Sequence, residues 1–167
     1  MIVSKETQDA LMELIKQAFF NNRKTDREIS VLNTQYACNK AASHIHQGIA
    51  HYFPLFADKV GELCLERYNI PVVYGETPRG DEQFASVGEI IKSMETHVIA
   101  FQTLLMGVCK IAFDNNDINV YADLLVLLAD YNKIVEQMIL ISDKYKFYGE
   151  QNIMSFDHDF SDFWILG

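Results

Sequence analysis

Apolar residues recur along most of this chain at helical spacing, and a few interruptions divide the pattern into segments. Ala10, Leu11, Leu14, Ile15, Ala18 and Phe19 repeat at i, i+1, i+4 and i+5, one stripe of an amphipathic helix over about residues 5–20. The polar run 21–25 (NNRKT) breaks the stripe, and Thr25 with Glu28 has the spacing of a capping box. A second helix is therefore predicted over 26–47. Gly48 and Pro54 point to a hairpin near 48–52 and a third helix over 53–68. Pro71 stops that helix, and 70–81 (IPVVYGETPRGD), with two prolines and two glycines, reads as a crossover loop. Ser86 and Glu89 form a second capping-box pair. The helix they open carries Val87, Ile91, Met94, Val98, Phe101, Leu105, Val108 and Ala112 in a heptad pattern. After the break at 114–116, Asp117 can cap a last helix with Tyr121, Leu125, Leu128, Val135 and Ile139 on one face.

Short hairpin, long crossover and short hairpin make an all-α four-helix bundle with one long connection, as a single domain. The bundle is placed at about 26–147, preceded by the N-terminal helix 5–20 and followed by a tail at 150–167. In the last two helices Leu104, Leu105, Leu124, Leu125, Leu127 and Leu128 cannot all point into one core. A helix apolar almost all round is buried on several sides, so a homo-oligomer, at least a dimer, is expected.

Composition narrows the partners. The 167 residues carry a net charge of −9, which repels a phosphate backbone and draws cations. The one basic cluster, Arg23, Lys24 and Arg27, is diluted by Asp26 and Glu28, so no nucleic-acid binding is expected. Three separated cysteines, Cys38, Cys64 and Cys109, suit free buried thiols in a reducing compartment rather than a disulfide framework. Lys5, Glu6 and Asp9 stand where a signal peptide would be apolar, and no apolar run reaches the ~20 residues that span a bilayer. A cytoplasmic protein outside the membrane is the expectation.

Candidate chemistry lies on the third helix. His51, Asp58 and Glu62 fall on one side of it, and His44 precedes the hairpin where it can approach His51. Imidazole and carboxylate together are ligand types for iron, manganese or zinc. Glu95 and His97 flank the heptad stripe as edge positions. Asp123 and Asp130 interrupt the apolar surface of the last helix and must be paired, metal-bound or at an interface. No Glu-x-x-His ligand pair, nucleophilic triad or phosphate loop is present. The tail from Phe156 to Leu166 alternates acids with aromatics and reads as a segment that docks on its own subunit, a neighbour or another protein.

The order His44, Gly48, Phe53, followed by Asp58-Lys-Val-Gly61-Glu62 and Pro71, resembles the ferritin-like superfamily, and within it the Dps-like mini-ferritins. The likeness runs from about residue 32 to 145. It implies a dodecamer that oxidises Fe(II) with peroxide or oxygen and stores ferric iron in an acidic cavity. It also implies a ferroxidase site between subunits, holding iron or a di-iron pair, whose roles would fall to His44, His51, Asp58 and Glu62. The alternative is a ferritin-like oligomeric binding or structural protein whose metal site has degenerated.

Overall fold

The computed structural model describes residues 2–167, and among them there is no strand. The helices are α1 (Lys5–Thr34), α2 (Asn39–Ile45), α3 (Tyr52–Leu63), α4 (Val87–Asp114), α5 (Ile118–Tyr148) and the short α6 (Ile153–His158). A π-turn, His46–Ala50, joins α2 to α3, and a second, Cys64–Tyr68, ends α3, so residues 39–68 form one continuous rod. The four long rods pack as the expected all-α bundle with one long crossover.

The first half departs from the sequence expectation in one connected way. The chain does not break at 21–25, and α1 runs unbroken to Thr34. Its inward positions are Thr7, Leu11, Leu14, Ala18, Asn21, Thr25, Glu28 and Leu32, an alternation of three and four residues sustained throughout. Three consecutive members are polar yet buried, which hid the continuity. Thr25 Oγ1 donates back to the Asn21 carbonyl at 2.8 Å, satisfying itself within the helix. Glu28 faces the core instead of reaching back to cap a helix start. The first chain reversal accordingly falls at 35–38, where Ala37 takes a left-handed φ of 56°.

Gly48 and Pro54 distort a helix instead of separating two. Pro54 has no N–H to give the Ala50 carbonyl four residues back. Asn22 Nδ2 on α1 donates to that carbonyl at 2.9 Å, and the turn before it widens to the π form. Gly48 lies under the Trp164 indole, where a Cβ would come within 2.3 Å of the ring.

The second half follows its pattern more closely. Every predicted heptad residue of α4 is buried. Ser86 Oγ accepts from Glu89 N at 3.1 Å, as the capping reading requires. On α5 the buried stripe is Val120, Leu124, Leu127, Tyr131, Ile134, Met138 and Ile141, one position out of phase with the predicted one. Both stripes are apolar, so periodicity alone could not choose between them. Asp117 caps no N–H with its side chain; its carboxylate accepts from Ser4 N and Ser4 Oγ, which ties the start of α1 to the α4–α5 turn. By length and composition α4 is apolar enough to cross a membrane. Here its buried residues face α1 and α5.

The crossover at 69–86 lies along α1 in the same direction. Val73 N meets Met12 Sδ, Gly75 lies against Lys16, and Arg23 Nη1 donates to the Pro78 carbonyl. Arg27 Nε donates to the Glu82 carbonyl, and Tyr36 Oη to that of Phe84. Between the Met12–Val73 and Arg23–Pro78 contacts, 11 residues of helix at a 1.5 Å rise span about 16 Å, and five residues of crossover at about 3.3 Å each span the same length. That stretch of the strap is drawn to its full reach, and two residues of the basic cluster, Arg23 and Arg27, hold the crossover.

The tail folds onto its own chain, with Phe156, Phe160 and Phe163 buried. Asp157 Oδ1 accepts from Ala41 N at 2.8 Å, and Lys40 Nζ donates to the His158 carbonyl. The Gln137 amide, buried on α5, donates to Phe163 O and accepts from Ile165 N.

Deleting Glu76 and Thr77 should unseat one end of the strap and lower Tm by several degrees. Inserting Gly-Ser at the same point should cost little, because loop lengthening is cheap in entropy. Thermal unfolding of both variants checks this. The three free thiols are buried, and burial pushes Cys38 up to about 12 and Cys64 up to about 11. At neutral pH a thiol reagent should therefore react with them in unfolded protein and not in native protein.

Candidate functional site

Three places on the bundle bear on chemistry: its centre, the α3–α5 face and the outer surface of the first hairpin. In di-metal carboxylate bundles two helices each supply a Glu and two each supply a Glu-x-x-His, all projecting inward. Here the inward residues of α3 at that spacing are Phe53 and Phe56. Phe101 of α4 and Tyr131 of α5 close against them at ring-centroid distances of 5.1 to 6.1 Å. Tyr131 Oη donates to the Val98 carbonyl, and burial holds its phenol well above the ordinary value. A centre filled with rings does not fit a di-iron group.

One ionisable pair persists beside those rings. Glu28 of α1 and His97 of α4 share a hydrogen bond, Oε1 to Nε2, of 2.6 Å, with side chains only 1% and 5% exposed. Glu28 Oε2 and His97 Nδ1 have no hydrogen-bond partner. Sequence reasoning had placed His97 at an edge and Glu28 in a cap. The available signal was the unbroken three–four alternation through Asn21, Thr25 and Glu28. Glu95 also turns partly inward, accepting from Ser142 Oγ at 2.6 Å.

The α3–α5 face carries the acids. Glu62, Glu66 and Asp123 line a groove of about 320 Å³ together with Lys59 and Arg67. Asp58 stands one helical turn before Glu62, and both are exposed. Asp123 accepts from Tyr68 Oη at 2.7 Å and from Arg67 Nη1 at 2.8 Å, and Asp130 accepts from Tyr52 Oη at 2.9 Å. Burial and these carboxylates hold both phenols far above the ordinary range. Asp123 and Asp130 are thus paired, with phenols as partners.

The four residues singled out from the sequence do not meet within the chain. The His44 ring lies between Phe160 and Trp164, with Nδ1 2.9 Å from the Lys40 carbonyl oxygen. His51 packs on His46, a residue the sequence reading did not select. Only Asp58 and Glu62 share a face. Among the described residues no group of three or more His, Cys, Asp or Glu surrounds a position that could hold a metal.

No family model and no curated protein matches the sequence. Solved structures do. An open-pore ferritin from the hyperthermophilic archaeon Archaeoglobus fulgidus superposes with a TM-score of 0.87 at 14% identity, over 95% of this chain and 96% of that one. A closed form of the A. fulgidus ferritin, engineered by site-directed mutagenesis, gives 0.85 at 15% identity over the same shares. A humanized archaeal ferritin also gives 0.85 at 15%, over 95% of this chain and 96% of that chain. The likeness establishes the ferritin-like fold over 95% of the chain, a larger share than the sequence resemblance reaches.

Removing one partner of the central pair should leave a buried polar group uncompensated. Glu28→Ala or His97→Ala should each cost about 3–5 kcal/mol, while Glu28→Leu combined with His97→Leu should recover most of the loss. Denaturant unfolding of the three variants tests this. Equal, additive losses would show that the two side chains do not act as a pair.

Proposed function

We propose that this chain is the subunit of a ferritin-like homo-oligomer that binds iron at carboxylates on the α3–α5 face and performs no di-iron chemistry inside its bundle. The observation that carries this reading is the exchange of character between the two places. Phe53, Phe56, Phe101 and Tyr131 fill the centre, while Asp58, Glu62 and Glu66 stand exposed on the helix that faces α5. Iron enters as cargo. Exposed carboxylates favour Fe(III) over Fe(II) through charge, and a net charge of −9 concentrates cations around the assembly. Asp58 and Glu62 are assigned the first contact.

The surface supports assembly. Leu125, Val126 and Ile139 of α5, with Met106 and Phe113 of α4, are exposed apolar residues on a folded chain. Solvent-exposed patches of this kind mark subunit contacts. The mini-ferritin resemblance assigns twelve copies.

A second reading, an oligomeric binding or structural protein without metal, is favoured by the absence of a formed three-donor group among the described residues. One experiment separates the two. The purified protein is loaded anaerobically with Fe(II), exposed to oxygen and passed over a sizing column with light scattering. The proposal expects ferric iron co-eluting with an assembly of about 230 kDa (12 × 19.2 kDa), and less than half as much iron for Asp58→Asn with Glu62→Gln. A metal-free assembly establishes the second reading. A dimer that retains iron overturns the shell, and a monomer overturns the assembly itself.

A further inference from the structure

A groove of about 690 Å³ runs between α1 and α4 and reaches Gln83 and Phe84 of the strap. One wall is the stripe Glu13, Gln17, Asn21 and Lys24, spaced four, four and three residues along one face of α1. The other wall is α4, whose Phe101 and Leu104 join Phe84 as apolar lining. Two buried polar groups on these walls have no partner. Asn21 is 5% exposed, yet among the described residues its side-chain amide enters no hydrogen bond; the Thr25 hydroxyl goes to its main-chain carbonyl. Across the groove His97, 4% exposed, keeps Nδ1 without a partner. Buried polar groups are nearly always paired, so two exceptions lining one groove point to a partner from outside the chain.

The charges along the groove select that partner. Its acids are engaged within the chain. Glu89 accepts from Ala85 N at 2.7 Å, and Glu13 accepts from Gln17 Nε2 at 2.8 Å. Its cations are not. Lys24 Nζ rests 4.4 Å from the centre of the Phe20 ring, and among the described residues neither it nor Lys92 pairs with a carboxylate. The hydrogen-bonding capacity left over is mainly that of donors, two ammoniums and one amide. An anionic acceptor is what they lack.

We propose that this groove binds a small aryl carboxylate. The Asn21 amide and the Lys24 ammonium, one helical turn apart on α1, take the carboxylate. The aromatic body lies along Phe101, Leu104 and Phe84, where ring edges and faces add to the gain from burial. A recess of this volume, apolar with a few convergent polar groups, is of the kind that encloses small organic ligands. The groove includes neither Asp58 nor Glu62, and its test does not depend on iron.

The test titrates the full chain by calorimetry with biphenyl-4-carboxylate and with its neutral counterpart, biphenyl-4-carboxamide. One carboxylate per chain is expected, and the carboxamide should bind at least about tenfold more weakly, the scale of a hydrogen bond to a charged group. Asn21→Leu should weaken carboxylate binding by a similar factor without lowering Tm, because it removes a buried amide that has no partner. Lys24→Gln should cost up to about fivefold and flatten the salt dependence. Ala100→Phe, at an exposed position of α4 that lines the groove, should fill it and abolish binding with helicity unchanged. Asp58→Asn with Glu62→Gln should change nothing. Equal affinity for carboxylate and carboxamide, undiminished binding by Ala100→Phe, or no saturable binding by wild-type protein each overturns the proposal.

Discussion

The architecture depends on a connection long enough to run the length of a helix. α1 is one unbroken 30-residue helix, and the crossover at 69–86 has to travel almost all of it to start α4 at the other end. Eighteen residues of extended chain reach about 59 Å, enough for the roughly 45 Å of the helix. The consequence is an arrangement in which α4 runs antiparallel to α1, as the pairings of Glu28 with His97 and Glu6 with Asn115 show.

The centre shows how one fold can keep its geometry while its interior changes chemistry. Rods at bundle spacing leave a fixed volume, and aromatic side chains occupy it through edge-to-face contacts worth about 0.5–1.5 kcal/mol each beyond their burial. A core of this kind stabilises the rods without a metal. Glu28 and His97 are the exception, a buried polar pair among rings. Their worth lies in the penalty for separating them more than in any gain over a packed apolar pair.

The sequence disclosed the fold class and the second hairpin because there the apolar and structural patterns coincide. Every residue of the α4 heptad is both hydrophobic and inward. It concealed the first hairpin because Asn21, Thr25 and Glu28 are polar and inward, so a reading by hydrophobicity sees a gap where the three–four alternation continues. Gly48 and Pro54 misled for a related reason: each breaks helices in general, yet Asn22 and Trp164, distant in sequence, absorb their cost. The candidate site was legible only on α3, where Asp58 and Glu62 share a face. His46 and His51 could not be paired from spacing, since their meeting depends on a π-turn.

The tail has a bearing on how the protein is made. Asp157 accepts from the first N–H groups of α2, and Trp164 covers Gly48 in the π-turn, so the second rod is completed by residues synthesised more than a hundred positions later. A nascent chain emerging at about 5–20 residues per second carries that rod outside the ribosome for several seconds with its cap missing and its glycine bare. Vectorial folding from the N-terminus therefore cannot finish the first hairpin, which waits until Asp157 and Trp164 have left the exit tunnel.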